Sequence, residues 1–261
     1  MPDPVDPIAA ADPWSRTAAY LTMLFNDKEI ATGTGILALH PNGQTFLITA
    51  LHNLTGKEPI TNEIKSRSGG IPNHVRVETY FTDFQLNLYH GGNDINSDSP
   101  FFRIHRLGSR IDVTVLPVPV AVEPTARLDP SFLTDQLNSQ LPLYVSQECC
   151  IVGFPEGLVS RPQPNVVMAV WKTGHIASEP YVDFYPEIPV ILIDATTRRG
   201  MSGAPVIVRK GDRTRLVGIY SGRFKQPLTN NSSPHEAALQ FTAELGWVFK
   251  WKVIDDLINQ A

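Results

Sequence analysis

Short apolar segments separated by turn residues run through most of the chain. Residues 33–39 and 45–50 are mainly apolar, and the Asn42-Gly43 pair between them favours the positive φ angles of a hairpin turn. Only residues 251–259 show helical spacing, with Val253, Ile254, Leu257 and Ile258 on one face. Other strands are predicted over residues 17–26, 75–81, 84–89, 101–105 and 112–118, and in a second series over 143–152, 165–173, 181–185, 189–193, 204–208, 215–220 and 239–249.

Two series of short strands, with 22 prolines and 18 glycines, indicate an all-β barrel or sandwich with one closing helix. Residues 1–15 contain four prolines and three aspartates and are predicted to form a flexible leader. Residues 121–140 lack β alternation, so we expect them to connect the two series of strands. The predicted division is therefore 1–15, 16–120, 121–140 and 141–261.

Composition narrows the function classes. A net charge of −4 gives no basic field, so we expect no nucleic-acid partner. The N-terminus resembles no secretory signal, and no apolar run is long enough to cross a bilayer, so no membrane association is expected. The only cysteines, Cys149 and Cys150, are adjacent in the chain and poorly placed for a mutual disulfide, which favours a cytoplasmic location.

Three segments carry candidate chemistry. Residues 200–205 read Gly-Met-Ser-Gly-Ala-Pro, residues 49–52 end an apolar strand with His52, and Asp112 opens another apolar strand. A serine hydroxyl needs a neighbouring base to become a nucleophile, and histidine can take that proton and later return it. A buried carboxylate on the other imidazole nitrogen fixes the tautomer. We therefore predict Ser202 as nucleophile, His52 as general base and Asp112 as its orienting partner, with no metal or cofactor.

These motifs, in the order His, Asp, Ser, resemble the trypsin/chymotrypsin family in its bacterial HtrA-like form without a PDZ domain. Further similarities are Gly-Thr-Gly at 33–35, Val-Gly-Phe-Pro at 152–155 and Leu-Val-Gly-Ile-Tyr-Ser-Gly at 216–222. The resemblance implies two perpendicular six-stranded antiparallel β-barrels, 16–120 and 141–261, with the site between them. It also implies an oxyanion hole built from the backbone N–H groups of Gly200 and Ser202.

The position before Ser202 departs from zymogen-activated trypsins, because Met201 stands where they carry an aspartate. Activation by insertion of a new N-terminus therefore has no physical basis here. Asn53 and Arg198 also replace cysteines of secreted relatives.

The resemblance places the substrate-binding pocket between two segments. Its base has no carboxylate, which argues against a preference for Lys or Arg. Two alternatives stay open: Tyr220 and Arg223 narrow the pocket and favour a small side chain, or Arg199 or Arg223 attracts an acidic one. The pocket residues are Thr196, Thr197 and Arg199 from one segment, and Tyr220, Ser221, Gly222 and Arg223 from the other.

The leading hypothesis is a serine endopeptidase that acts on proteins or peptides through an acyl-enzyme. A catalytically silent binding module on the same fold and a latent protease assembled by a regulatory protein partner are the alternatives.

Overall fold

The computed structural model describes residues 11–40, 43–59, 61–66, 69–80, 83–90, 99–119, 140–164, 166–223 and 244–260. Within these residues twelve strands form two six-stranded antiparallel sheets, followed by a C-terminal helix. The predicted all-β fold is therefore confirmed. The predicted connection over 121–140 lies outside the described residues except for residue 140.

The first sheet is a half-barrel with the strand order β5-β4-β1-β2-β3-β6. A short helix, α2 (Leu51–Thr55), follows β3 directly and begins at the end of the sheet. The six strands are β1 (Ala18–Phe25), β2 (Lys28–Leu39), β3 (Thr45–Thr49), β4 (His74–Glu78), β5 (Asp83–Asn87) and β6 (Thr114–Val118).

The second sheet closes into a barrel with the order β10-β11-β12-β9-β8-β7. The strands of the barrel are β7 (Glu148–Gly153), β8 (Val170–Ile176), β9 (Val190–Asp194), β10 (Pro205–Lys210), β11 (Arg213–Arg223) and β12 (Leu245–Lys250).

The strands predicted over 101–105 and 181–185 are wrong, because these segments make only isolated bridges, from Arg103 to Val115 and from Tyr185 to Ile188.

Two terminal helices pack onto the sheets. Helix α1 (Pro13–Thr17) is capped by Asp12, which accepts a hydrogen bond from the Trp14 backbone N–H at 2.8 Å, and the Trp14 side chain is buried. The end of the predicted leader thus contributes to the core. The predicted closing helix is confirmed as α3 (Lys252–Asn259).

One apolar cluster joins the two sheets. It contains Ile36 and Val115 from the first sheet, Ile207 and Phe249 from the barrel, and Ile254 from α3. Each sheet also has a separate interior cluster. Burial of this shared surface holds the loops at the ends of both sheets next to each other, and these loops carry the predicted site residues.

Candidate active site

The pairing of β3 with β6 brings His52 and Asp112 together. Thr49 at the end of β3 lies opposite Thr114 at the start of β6, so His52, three residues later, and Asp112, two residues earlier, emerge side by side. His52 Nδ1 lies 2.6 Å from Asp112 Oδ2, and the backbone N–H of His52 donates to Asp112 Oδ1 at 2.9 Å. Both side chains are buried, so this contact fixes the position of the imidazole.

A third donor reaches the same carboxylate from the second barrel. The hydroxyl of Ser221, on β11, donates to Asp112 Oδ2. The sequence predicts Ser221 in the substrate pocket, whereas its side chain contacts the carboxylate beside His52. The three donors satisfy a buried carboxylate, which would otherwise be costly to remove from water.

Ser202 lies in the turn between β9 and β10, flanked by two glycines that the packing requires. Gly200 has φ +86°, and a Cβ there would lie 2.3 Å from the carbonyl oxygen of Phe154. Gly203 has φ +90°, and a Cβ there would lie 1.9 Å from the carbonyl oxygen of Thr34. A side chain at either position would push the turn away from its neighbours.

The backbone of Ser202 is tied to the first sheet beside His52. Its carbonyl oxygen accepts hydrogen bonds from the backbone N–H of Thr34 and from the side-chain amide of Asn53, each at 2.9 Å. Asn53 follows His52 directly in α2, so the same short helix carries His52 and holds the carbonyl oxygen of Ser202. Among the described residues, however, no hydrogen bond joins Ser202 Oγ to His52 Nε2.

The threonine of the Gly-Thr-Gly motif makes a second link between the two sheets. The Thr34 hydroxyl donates to the Gly200 carbonyl oxygen at 2.7 Å and accepts from the backbone N–H of Phe154 at 3.1 Å. From the sequence, the Gly-Thr-Gly motif is only a point of similarity to the trypsin/chymotrypsin family, and no role is predicted for the threonine hydroxyl. Thr34 and Asn53 are thus the site residues that sequence reasoning missed.

The backbone N–H groups of Gly200 and Ser202, the predicted oxyanion donors, have no acceptor among the described residues. The Arg199 carbonyl accepts from the backbone N–H of Glu156 at 2.6 Å. A trans peptide directs its C=O and N–H to opposite sides, so the N–H of Gly200 points away from Glu156. Within the described part of the chain, neither this N–H nor that of Ser202 has an acceptor.

The predicted pocket residues lie on two facing segments, but their side chains fill the space between them. The hydroxyls of Thr197 and Tyr220 are 2.5 Å apart, and both residues are buried. The Arg223 guanidinium donates to the Thr197 carbonyl oxygen, and the Thr196 hydroxyl donates to Glu244. Gly222 pairs with Trp247 on β12, and the Arg199 side chain is exposed.

A cavity of about 250 Å³ adjoins His52 and is lined by residues between Leu51 and Ser109, in the first half of the chain. Apolar atoms form most of its exposed wall, and Lys57, Glu58 and Asn62 also line it. The other residues that form it include Leu51, Thr55, Ile71, Tyr89, Ile104 and Ser109.

Among the residues that the structure describes, no group of three or more His, Cys, Asp or Glu side chains is arranged to hold a metal ion. In the same part of the chain, no helix has the length and apolar character needed to span a membrane.

The sequence of residues 33–219 matches the family model of the trypsin-like peptidase domain. The chain belongs to this family. The matched range contains His52, Asp112, Ser202 and the Gly-Thr-Gly motif, and it covers well over half of the chain. No curated protein sequence matches the chain significantly.

Solved structures of other trypsin-like peptidases share the fold at low sequence identity. The Rv3671c protease from M. tuberculosis in its active form is 18% identical, with a TM-score of 0.51, and the match covers 97% of this chain and 83% of that one. The HtrA-type protease AlgW with tripeptide is 15% identical, with a TM-score of 0.53 and coverage of 94% and 59%. The protease Anisep from Arthrobacter nicotinovorans is 12% identical, with a TM-score of 0.51 and coverage of 95% and 96%.

The residue before Ser202 lies in an apolar environment. Met201 is fully buried among apolar side chains of the second barrel, including Ala204 and Tyr220. Such an environment stabilises a thioether and would penalise a charged group.

Proposed function

We propose that this chain is a serine endopeptidase in which Ser202 is the nucleophile, His52 the general base and Asp112 the residue that orients His52. The observation that carries the proposal is the double contact of Asp112 with His52, at the ring Nδ1 (2.6 Å) and at the backbone N–H (2.9 Å). This contact leaves Nε2 as the ring nitrogen able to accept a proton from a neighbouring hydroxyl.

The reaction then follows from the chemistry of these groups. Ser202 Oγ attacks the carbonyl carbon of the peptide bond while its proton passes to His52 Nε2. The tetrahedral intermediate collapses, the C–N bond breaks, and the leaving amine takes the proton from His52. Water repeats the sequence on the acyl-enzyme, giving the acid and free Ser202. The Asp112 carboxylate stabilises the imidazolium in both halves without becoming protonated.

The N–H groups of Gly200 and Ser202 have no acceptor among the described residues, and such free donors are what an oxyanion hole requires. The bond from Glu156 N–H to the Arg199 carbonyl keeps that carbonyl from turning towards the substrate, and the Thr34 hydroxyl holds the next carbonyl, that of Gly200. Donors fixed before the substrate arrives stabilise the developing negative charge, and one such donor contributes about 2.7–4 kcal/mol in other enzymes.

A fluorophosphonate probe, which reacts with activated serines, tests the proposal. We expect the purified wild-type protein to gain one probe mass at Ser202, and Ser202→Ala to gain none. Ser160→Ala is the matched control, because Ser160 is exposed and its side chain makes none of these contacts, and it should label as wild type does.

The outcomes separate the proposal from its alternatives. No labelling of wild type under any condition favours a silent binding module. Labelling that appears only after addition of cell extract favours a latent protease assembled by a partner. Labelling of wild type and Ser202→Ala alike would overturn the assignment of the nucleophile.

A further inference from the structure

The Tyr220 side chain occupies the space that the sequence assigns to the substrate-binding pocket. Tyr220 lies on β11 immediately before Ser221, and its hydroxyl reaches Thr197, five residues before Ser202. Only 2% of Tyr220 and 1% of Thr197 is exposed. The aromatic ring therefore extends from one wall of the expected pocket to the other.

The ring is held on several sides. A Cβ at Gly246, on β12, would lie 2.6 Å from Tyr220 Cε2, so the ring packs directly against that glycine. The Tyr220 backbone accepts from Gly203 N–H at 2.7 Å and donates to the Ala204 carbonyl at 2.8 Å. Moving the ring would break its contact with Thr197 and expose the apolar cluster around it.

Arg223 makes a second connection across the same space. Arg223 lies two residues beyond Ser221 on the same strand, and its guanidinium donates to the Thr197 carbonyl oxygen. The residue itself is exposed, and its charge acts on the Tyr220 phenol, so the guanidinium lies near the ring. Burial raises the pKa of Tyr220 to about 12, so the phenol carries no charge at neutral pH.

We propose that Tyr220 closes the primary side-chain pocket and restricts cleavage to bonds that follow a small residue, glycine, alanine or serine. This inference rests on the proposed peptidase function. A larger side chain would have to displace a buried aromatic ring and break its hydrogen bond. Of the two alternatives that the sequence left open, the packing favours the small pocket over the acidic one.

Peptidyl diphenyl phosphonates, which form a covalent adduct with the nucleophilic serine, measure this preference directly. Three probes with identical flanking residues carry an alanine, phenylalanine or glutamate side chain at the reacting residue. The readout is the rate of adduct formation, followed by intact mass. We expect the alanine probe to react with wild type about tenfold or more faster than either other probe.

Two Tyr220 variants separate the ring from its hydroxyl. Tyr220→Phe keeps the ring and should keep the order of reactivity, with alanine fastest. Tyr220→Ala removes the ring and should raise the reactivity of the phenylalanine probe relative to the alanine probe by about tenfold or more. Thermal unfolding and labelling by a small fluorophosphonate establish that Tyr220→Ala is folded, and the wild-type profile tests the inference even if that variant does not fold.

Two results would overturn the inference. One is a wild-type protein that reacts with the phenylalanine probe as fast as with the alanine probe. The other is a preference for the glutamate probe that Arg223→Gln abolishes, which would assign an acidic pocket instead. Either result, together with fluorophosphonate labelling at Ser202, leaves the proposed peptidase function intact, whereas absence of all labelling contradicts the function itself.

Discussion

Ser221 and Asp112, which are 109 residues apart in the chain, are joined by a hydrogen bond from the serine hydroxyl to the carboxylate oxygen that also contacts His52 Nδ1. Asp112 precedes β6 of the first sheet, and Ser221 lies on β11 of the second barrel. The carboxylate is therefore oriented by both halves of the molecule.

Removal of the Ser221 hydroxyl should lower activity without abolishing it. Ser221→Ala deletes one donor, while both contacts with His52 remain, so we expect kcat/KM to fall about tenfold, the order of one hydrogen bond to a charged group. Ser221→Thr retains a hydroxyl and serves as the control. Hydrolysis of an alanine-containing peptide measures both. A loss in Ser221→Ala as large as in a variant of Asp112 itself would contradict the account.

Removal of the Asp112 charge should be far more damaging. Asp112→Asn keeps the size of the side chain but presents the wrong hydrogen-bonding partner to His52 Nδ1, so we expect kcat to fall about 10⁴-fold with KM little changed. Circular dichroism should show a folded protein. Asp183→Asn, which alters an exposed carboxylate paired with Lys250, is the matched control and should behave as wild type. Equal activity of both variants would refute a role for Asp112.

The Thr34 hydroxyl should affect both stability and turnover. Thr34→Val removes the partner of two buried groups, the Gly200 carbonyl and the Phe154 N–H, so we expect the free energy of unfolding to fall by about 1–3 kcal/mol. Because we propose the Gly200 N–H as an oxyanion donor, we expect kcat to fall while KM changes little.

Thr34→Ser separates this effect from a general loss of packing. It restores the hydroxyl but lacks the methyl group, so it should recover most of the lost kcat even where some stability remains lost. If kcat falls equally in the serine and valine variants, the Thr34 hydroxyl does not position the backbone around Gly200.

Cys149 should be unreactive in the folded protein. Both cysteines lie on β7 and are free, and burial raises the pKa of the Cys149 thiol to about 12. Almost no thiolate exists near neutral pH, so iodoacetamide should modify Cys149 slowly in the native state and rapidly in denaturant. The Cys150→Ser variant isolates this reaction for mass spectrometry. Equally rapid alkylation in both states would show that the thiol is accessible.

The sequence predicts the features that depend on local pattern. Most of the strands and the closing helix follow from hydrophobic spacing, although the strands predicted over 101–105 and 181–185 do not form. The candidates His52, Asp112 and Ser202 follow from short motifs whose residue types the chemistry requires. The flexible leader predicted over residues 1–15 includes Trp14, which is buried in the structure. The sequence does not predict this burial, because a single tryptophan among prolines carries no periodic signal.

The contacts between distant segments could not be predicted in this way. Thr34 and Gly200 are 166 residues apart, and Asn53 and Ser202 are 149 apart, so their hydrogen bonds exist only because the two sheets pack together. The filling of the substrate-binding pocket also depends on contacts between segments that are distant in the chain. The sequence raised a narrowed pocket as one alternative, but only the packing of the Tyr220 ring on Gly246 and its bond to Thr197 distinguishes it from an open one.

The most direct test of the central claim compares peptide hydrolysis by Ser202→Ala, His52→Ala and the double variant that carries both changes. If the two side chains act as one unit, each single change should lower kcat by several orders of magnitude, and the double variant should be about as slow as either single one. Losses that multiply in the double variant, or a Ser202→Ala protein that hydrolyses the peptide at the wild-type rate, would contradict the account.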